Sequence, residues 1–149
     1  MNVLVDTSIW SLVLRRRRKD LSPDERSIGL ELTELIKEGR AVLIGAIRQE
    51  ILSGVRERAT FDRLRDHLRS FDDEMLSFED YEEAAACGNR CRAAGVSGSM
   101  IDFLLCAVAR RRGLSVFTTD AAFERYSRHL HIRLHHPAGQ NDSAIRPRQ

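Results

Sequence analysis

The chain has 149 residues, 42% apolar and 31% charged, which is one ordinary domain with enough apolar side chain to bury a core. No apolar run is long enough to span a bilayer and the N-terminus reads as a strand, so a membrane-spanning protein is excluded and a cytoplasmic one is predicted. Formal charge is only +2, yet of 24 basic residues only Lys19 and Lys37 are lysines. That bias suits forked contacts to phosphate, and a GC-rich genome would produce it too.

Asn2 to Val5 is a first apolar strand, followed by Asp6 and by Thr7-Ser8, which read as a helix cap. Ile9, Trp10 and Leu12 give the first helix an apolar side, with Trp10 assigned to the core or to a dimer contact. The run Arg15-Arg16-Arg17-Arg18-Lys19 then reads either as a solvated helix end or as a phosphate contact. In the second helix Ser22 is the cap, Pro23 takes the first position and Glu25 completes a capping box. Leu30, Leu32, Leu35 and Ile36 supply its stripe, and Gly39 is placed to end it in a left-handed conformation. Ala41 to Ile44 is a second strand, and Ala46 to Leu52 a short helix carrying Glu50. Phe61, Leu64, Leu68 and Phe71 repeat at helical spacing.

Met75-Leu76-Ser77 is expected as a short edge strand, and Asp80 to Ala94 as a helix closed by Gly95. Ser99 opens the next helix, with Ile101, Leu104, Leu105 and Val108 on its core face. Its end, Arg110-Arg111-Arg112, reads as a helix-terminal charge cluster before Gly113. Ser115 to Thr119 is a strand, Asp120 follows it, Ala121 to Arg128 is a helix, and Ile132 to Leu134 is a last strand. From Ala138 onward the composition is polar and aperiodic, so the division is a domain over 1–137 and a flexible tail over 138–149. Helices alternating with short apolar strands predict an α/β fold, an α/β/α sandwich on a mostly parallel sheet. Cys87, Cys91 and Cys106 do not make a paired disulfide framework and read as buried packing rather than a zinc site, in a reducing compartment. His129, His131, His135 and His136 have no ligand spacing and read as surface residues.

Four acids stand where strand gives way to helix: Asp6, Glu50, Asp102 and Asp120. In an open parallel sheet, sites form beyond the carboxyl ends of the strands, so acids scattered in sequence can converge there. Converging carboxylates do not all stay ionised without a cation, which points to a hard divalent metal. Mg²⁺ prefers one or two carboxylates plus waters and substrate phosphate. Asp6 and Asp102 are the first choice for direct or water-mediated ligation, Asp120 completes the shell or holds a metal-bound water, and Glu50 is placed to orient or deprotonate the attacking water. Thr7, Ser8, Thr118 and Thr119 are candidates to hydrogen-bond the carboxylates or a phosphate, and Arg15 and Arg16 to contact substrate.

Val3-Leu4-Val5-Asp6-Thr7-Ser8, Arg48-Gln49-Glu50-Ile51-Leu52-Ser53-Gly54, Asp102 with its apolar helix, and Thr118-Thr119-Asp120 with Phe123 together resemble a PIN domain. In the family's order and spacing they look specifically like the VapC type of toxin ribonuclease from prokaryotic toxin–antitoxin pairs. The resemblance implies an endoribonuclease using Mg²⁺, with Mn²⁺ able to substitute, and a catalytic set of Asp6, Glu50, Asp102 and Asp120. It also implies a small VapB-like antitoxin that covers the acids, operator DNA bound only through that antitoxin, and a homodimer. The antitoxin is expected to lay a helix near the first two helices, with Trp10, Leu12 and Leu14 offering apolar contacts. A further acid that the family often carries corresponds here to Glu124 or is absent.

Other classes are weighed on the same residues. A housekeeping PIN nuclease would share the whole acid set. A non-catalytic RNA-binding module would have no use for four intact acids. A receiver-type phosphotransfer protein needs a lysine at a late strand end, where neither Lys19 nor Lys37 stands. A DxD phosphatase needs a second acid after Asp6, where Thr7-Ser8 stands.

Overall fold

In a computed structural model, described over residues 1–138, the buried run Val3–Val5 forms the strand β1 at the middle of the sheet. Burial on both faces is why its apolar residues are continuous rather than alternating. Ala41–Val42 (β2), Ser115–Phe117 (β3) and Arg133–Leu134 (β4) join it in the order β2-β1-β3-β4. All pairings are parallel: Val3 lies opposite Ala41 and Ser115, and Ser115 opposite Arg133.

Seven helices connect these strands among the described residues: α1 (Thr7–Leu14), α2 (Pro23–Lys37), α3 (Gly45–Leu52), α4 (Arg58–Leu68), α5 (Phe78–Ala93), α6 (Met100–Arg112) and α7 (Ala122–Leu130). A 3₁₀ turn at Arg18–Asp20 separates α1 from α2. The first helix packs on α2 and α3, and α3 on α4, while α5, α6 and α7 pack on one another. The result is the α/β/α sandwich that the alternation of elements predicts. Both helical groups drive apolar stripes into one core, with Ile9, Leu35, Ile47, Leu105, Val108 and Phe123 all fully buried or nearly so. Trp10, 1% exposed and edge-on to Phe71, is core.

The second helix forms as read. Ser22 Oγ accepts from Glu25 N at 3.2 Å, Glu25 Oε1 accepts from Ser22 N at 3.1 Å, and Gly39 follows with φ of 68°. The edge strand expected at Met75–Ser77 does not form. Instead the sheet edge gains a single parallel bridge, Leu43 to Asp73, with Glu74 N donating to Leu43 O at 2.8 Å. Arg48 decides this register by gripping Asp73 (Nη2 to Oδ1, 2.9 Å) and the carbonyls of Leu68 and Phe71. The chain then leaves the sheet, and Met75 points to solvent at 82% exposure.

The helix expected from Asp80 begins two residues earlier, at Phe78. Asp80 is the third residue of a capping box, accepting from Ser77 N at 2.8 Å. Its carboxylate is completely buried and also receives Arg111 Nε at 3.0 Å and Arg112 Nη2 at 2.6 Å. The basic end of α6 is therefore tied to the start of α5. His135 departs from expectation as well: it is half-buried, edge-on to Phe117, and 2.8 Å from Glu31.

All three cysteines are free and buried. Burial pushes the Cys87 thiol up to about 11, with Glu83 adding to the rise, and burial raises Cys91 and Cys106 as well. Reactivity follows the thiolate, so the folded protein should resist thiol reagents that label the unfolded chain at once. A thiol that titrates rapidly in the native protein would contradict that packing. Among the described residues no helix is long and apolar enough to cross a membrane. The tail placed at 138–149 lies, from residue 139, outside the described residues.

Candidate functional site

Strand order reverses at β1, which has β2 on one side and β3 on the other. A crevice opens beyond the carboxyl ends of two strands at such a point. Asp6 stands at the end of β1 and Thr118 to Asp120 at the end of β3, and Asp6 N donates to Phe117 O at 2.9 Å, stitching the two together.

Asp6 begins α1 with extended backbone, but its side chain makes no capping hydrogen bond. Its Oδ2 instead accepts from Ser8 Oγ at 3.0 Å and Thr118 Oγ1 at 2.8 Å. The residue is only 6% exposed. Burial pushes its carboxyl above the usual range; the bonds from Thr118, Ser8 and the Thr7 backbone oppose that, and the charge of Asp102 adds to it.

Asp102 sits in the first turn of α6, where Ser99 Oγ accepts from its backbone N at 3.1 Å. Its Oδ2 accepts from the Tyr126 hydroxyl at 2.8 Å. Burial raises the pKa of Tyr126, and the hydrogen bond and charge of Asp102 raise it further, followed by the charge of Asp120. Tyr126 therefore keeps its proton as a donor. Glu50, half-buried on α3, is joined to the start of α1 by the Thr7 hydroxyl, which donates to its Oε1. Asp120 is exposed; its N donates to Thr118 Oγ1 at 3.0 Å, and its Oδ1 accepts from Ala122 N at 2.9 Å at the start of α7. Glu124 is exposed on α7, and its side chain bonds none of these acids among the described residues.

Three of the four hydroxyl residues hold carboxylates: Thr7 holds Glu50, and Ser8 and Thr118 hold Asp6. Thr119 donates its backbone N to Ser8 Oγ at 3.1 Å and lines an adjoining cleft of about 600 Å³. Arg15 and Arg16 form the basic wall of that cleft with Ser8, Ser11 and Leu12, and Arg16 is paired to Glu25. Tyr126 is the residue that motif reading missed. Its one signal in sequence is a tyrosine on the buried stripe Phe123, Tyr126, Leu130, since a buried phenol needs a partner for its hydroxyl.

Among the described residues no three of His, Cys, Asp or Glu stand close enough to hold one ion between them. Mg²⁺ asks for less: one or two carboxylates, the rest of its octahedron being water and substrate oxygen. Asp6 and Asp102 are hard oxygen donors, and the buried Asp6 feels the charge of Asp102, so the donor set fits such an ion.

Among curated proteins none matches the chain. Of the solved structures that it resembles, the crystal structure of FitAcB from Neisseria gonorrhoeae shares 17% identity and a TM-score of 0.71, over 91% of this chain and 97% of that one. That likeness is one of fold. The PIN domain family matches residues 3–129, from β1 into α7 and across every acid of the site. By that match the chain belongs to the PIN-domain family, whose members are generally nucleases that use divalent metal ions.

Proposed function

We propose that this PIN domain is a Mg²⁺-dependent endoribonuclease and the toxin of a VapBC-like toxin–antitoxin pair acting in the cytoplasm. The observation that carries the nuclease reading is the buried Asp6 at the strand-order reversal, whose charge, facing that of Asp102, a cation would stabilise. Asp6 and Asp102 would hold the ion directly or through water, with Asp120 holding a metal-bound water rather than joining them on the ion. A bound divalent ion lowers the pKa of its water and neutralises charge on the phosphoryl oxygens; Mn²⁺ can replace Mg²⁺. Glu50, steadied by Thr7, orients or deprotonates the attacking water. Ser8 and Thr118 keep Asp6 in place, while Thr119, Arg15 and Arg16 receive the flanking phosphates along the cleft.

The toxin reading rests on the resemblance to VapC proteins and on the surfaces beside the site. A cluster of carboxylates is complementary to an arginine inserted by an inhibitor peptide. Trp10 is too buried to receive that peptide's helix, whereas Leu12 lines the groove that would. The receiving groove is the α1–α2 surface lined also by Val13, Leu21, Gly29 and Leu30, beside Arg16. Operator DNA is reached only through such an antitoxin. For the homodimer, the available apolar face is that of α5 and α6, with Phe78, Tyr81 and Met100 exposed.

The test is cleavage by purified protein. It should cut RNA with Mg²⁺ or Mn²⁺ and stop in excess chelator, and the gene expressed alone should arrest growth unless the adjacent small gene is co-expressed. Chelator-resistant cleavage would remove the metal mechanism. Harmless expression of a protein that cuts RNA efficiently would favour a housekeeping nuclease.

A further inference from the structure

Tyr126 belongs to the core by burial and to the site by its hydroxyl. It is 1% exposed, with its ring edge-on to Phe123 (centroids 5.1 Å apart) and tilted against Phe103 (5.2 Å). Gly98, in the loop before α6, closes over it. A Cβ at that position would lie 2.4 Å from the Tyr126 hydroxyl oxygen and 2.8 Å from the tip of the Phe103 ring. Real side chains do not approach so closely, so only glycine lets the loop cover the hydroxyl without a shift. The enclosed hydroxyl has its acceptor at 2.8 Å, Asp102 Oδ2. Among the described residues no donor reaches Asp102 Oδ1.

Packing alone does not account for this arrangement. Phenylalanine would fill the same space and would not require a polar group to be taken out of water. We propose that Tyr126 is a positioning residue for the cation site: through Oδ2 it fixes the Asp102 carboxylate and leaves Oδ1 as the oxygen available to a cation, with Gly98, Phe103 and Phe123 holding the phenol in place. The inference rests on the metal-site reading above. Partners of this kind, which orient a ligand without touching the ion, typically govern metal affinity by ~10–100-fold.

The experiment is a calorimetric titration of the full chain with Mn²⁺ alone, without RNA, on wild type, Tyr126→Phe and Asp102→Asn. Tyr126→Phe should bind Mn²⁺ about tenfold more weakly. Its metal-free melting temperature should fall by only the few degrees that one hydrogen bond accounts for. RNA cleavage by Tyr126→Phe should drop at limiting Mn²⁺ and recover at saturating Mn²⁺, a rescue that a merely misfolded core would not show. Unchanged or tighter Mn²⁺ binding by Tyr126→Phe, with a wild-type response that Asp102→Asn removes, would overturn the positioning role and leave the site standing. A wild type that binds no Mn²⁺, or whose binding survives Asp102→Asn, would overturn both.

Discussion

Asp6→Asn is expected to do two opposite things: lower RNA cleavage by at least about a thousandfold and raise the melting temperature of the metal-free protein at pH 7. The loss of activity follows from the role proposed for Asp6 as an ion's ligand. Metal stabilisation of phosphoryl charge is worth several kcal/mol, and each ~1.4 kcal/mol is a factor of ten. The gain in stability follows from the raised pKa of Asp6, which burial chiefly causes. A carboxyl whose folded pKa lies above its unfolded value contributes stability below the unfolded value, near ~3.9, and loses it as pH rises through the folded value. At pH 7 the ionised Asp6 of the metal-free protein is therefore a liability, and a neutral amide relieves it. Asparagine still offers an oxygen to the hydroxyls of Ser8 and Thr118. Thermal melts in chelator should show the variant ahead at pH 7, with the gap closing toward pH 4, and excess Mg²⁺ should favour wild type. If the variant melts lower throughout, or still cleaves at the wild-type rate, Asp6 is not the strained ligand described.

Asp80→Ala should be a strongly damaging change away from the site, at about 3 kcal/mol, the low end of what breaking a buried ion pair costs. The low end applies because Arg111 and Arg112 both reach solvent. The substitution removes the cap of α5 and leaves two guanidinium groups without their shared acceptor. For a chain this long the melting temperature should fall by roughly 6–12 °C. Asp80 also has the opposite pH signature to Asp6. Burial pushes its pKa up, but the Ser77 backbone N–H, then Arg112 and Arg111, outweigh burial and hold it below the usual range. Its contribution is complete above the ordinary carboxylate value and disappears in acid, as pH falls through the depressed folded value. A melting temperature within about 2 °C of wild type at pH 7 would show that the network carries little.

What could be read from sequence, and what could not, divides along the range of the interactions. Ser22, Pro23 and Glu25 announce α2 because all its start signals lie within four residues. The acids at strand ends are legible because a parallel sheet gathers such positions wherever they fall in sequence. Met75-Leu76-Ser77 looks like a strand because short apolar runs do not encode their partner. The pairing was settled instead by Arg48 holding Asp73, 25 residues away. Ser77 and Asp80 form the same kind of capping box as Ser22 and Glu25, but Asp80 read as a helix start hides the cap three residues upstream. Tyr126 meets Asp102 across 24 residues, and Arg112 meets Asp80 across 32. Those contacts depend on how α6 lies against its neighbours, which no local pattern states.

The reversal of strand order has a consequence for the life of the chain before it is complete. β1 is made well before its neighbour β3, since its partner residue on β3 and the Thr118 that braces Asp6 both come 112 residues later. At ~5–20 residues per second, that interval lasts roughly 6–20 seconds. Throughout it, β1 has one edge without its partner, and Asp6 lacks half of its support. A nascent chain therefore carries the first acid of the site long before it has a crevice in which to use it. The crevice closes around Asp6 only once β3 and Thr118 have been made.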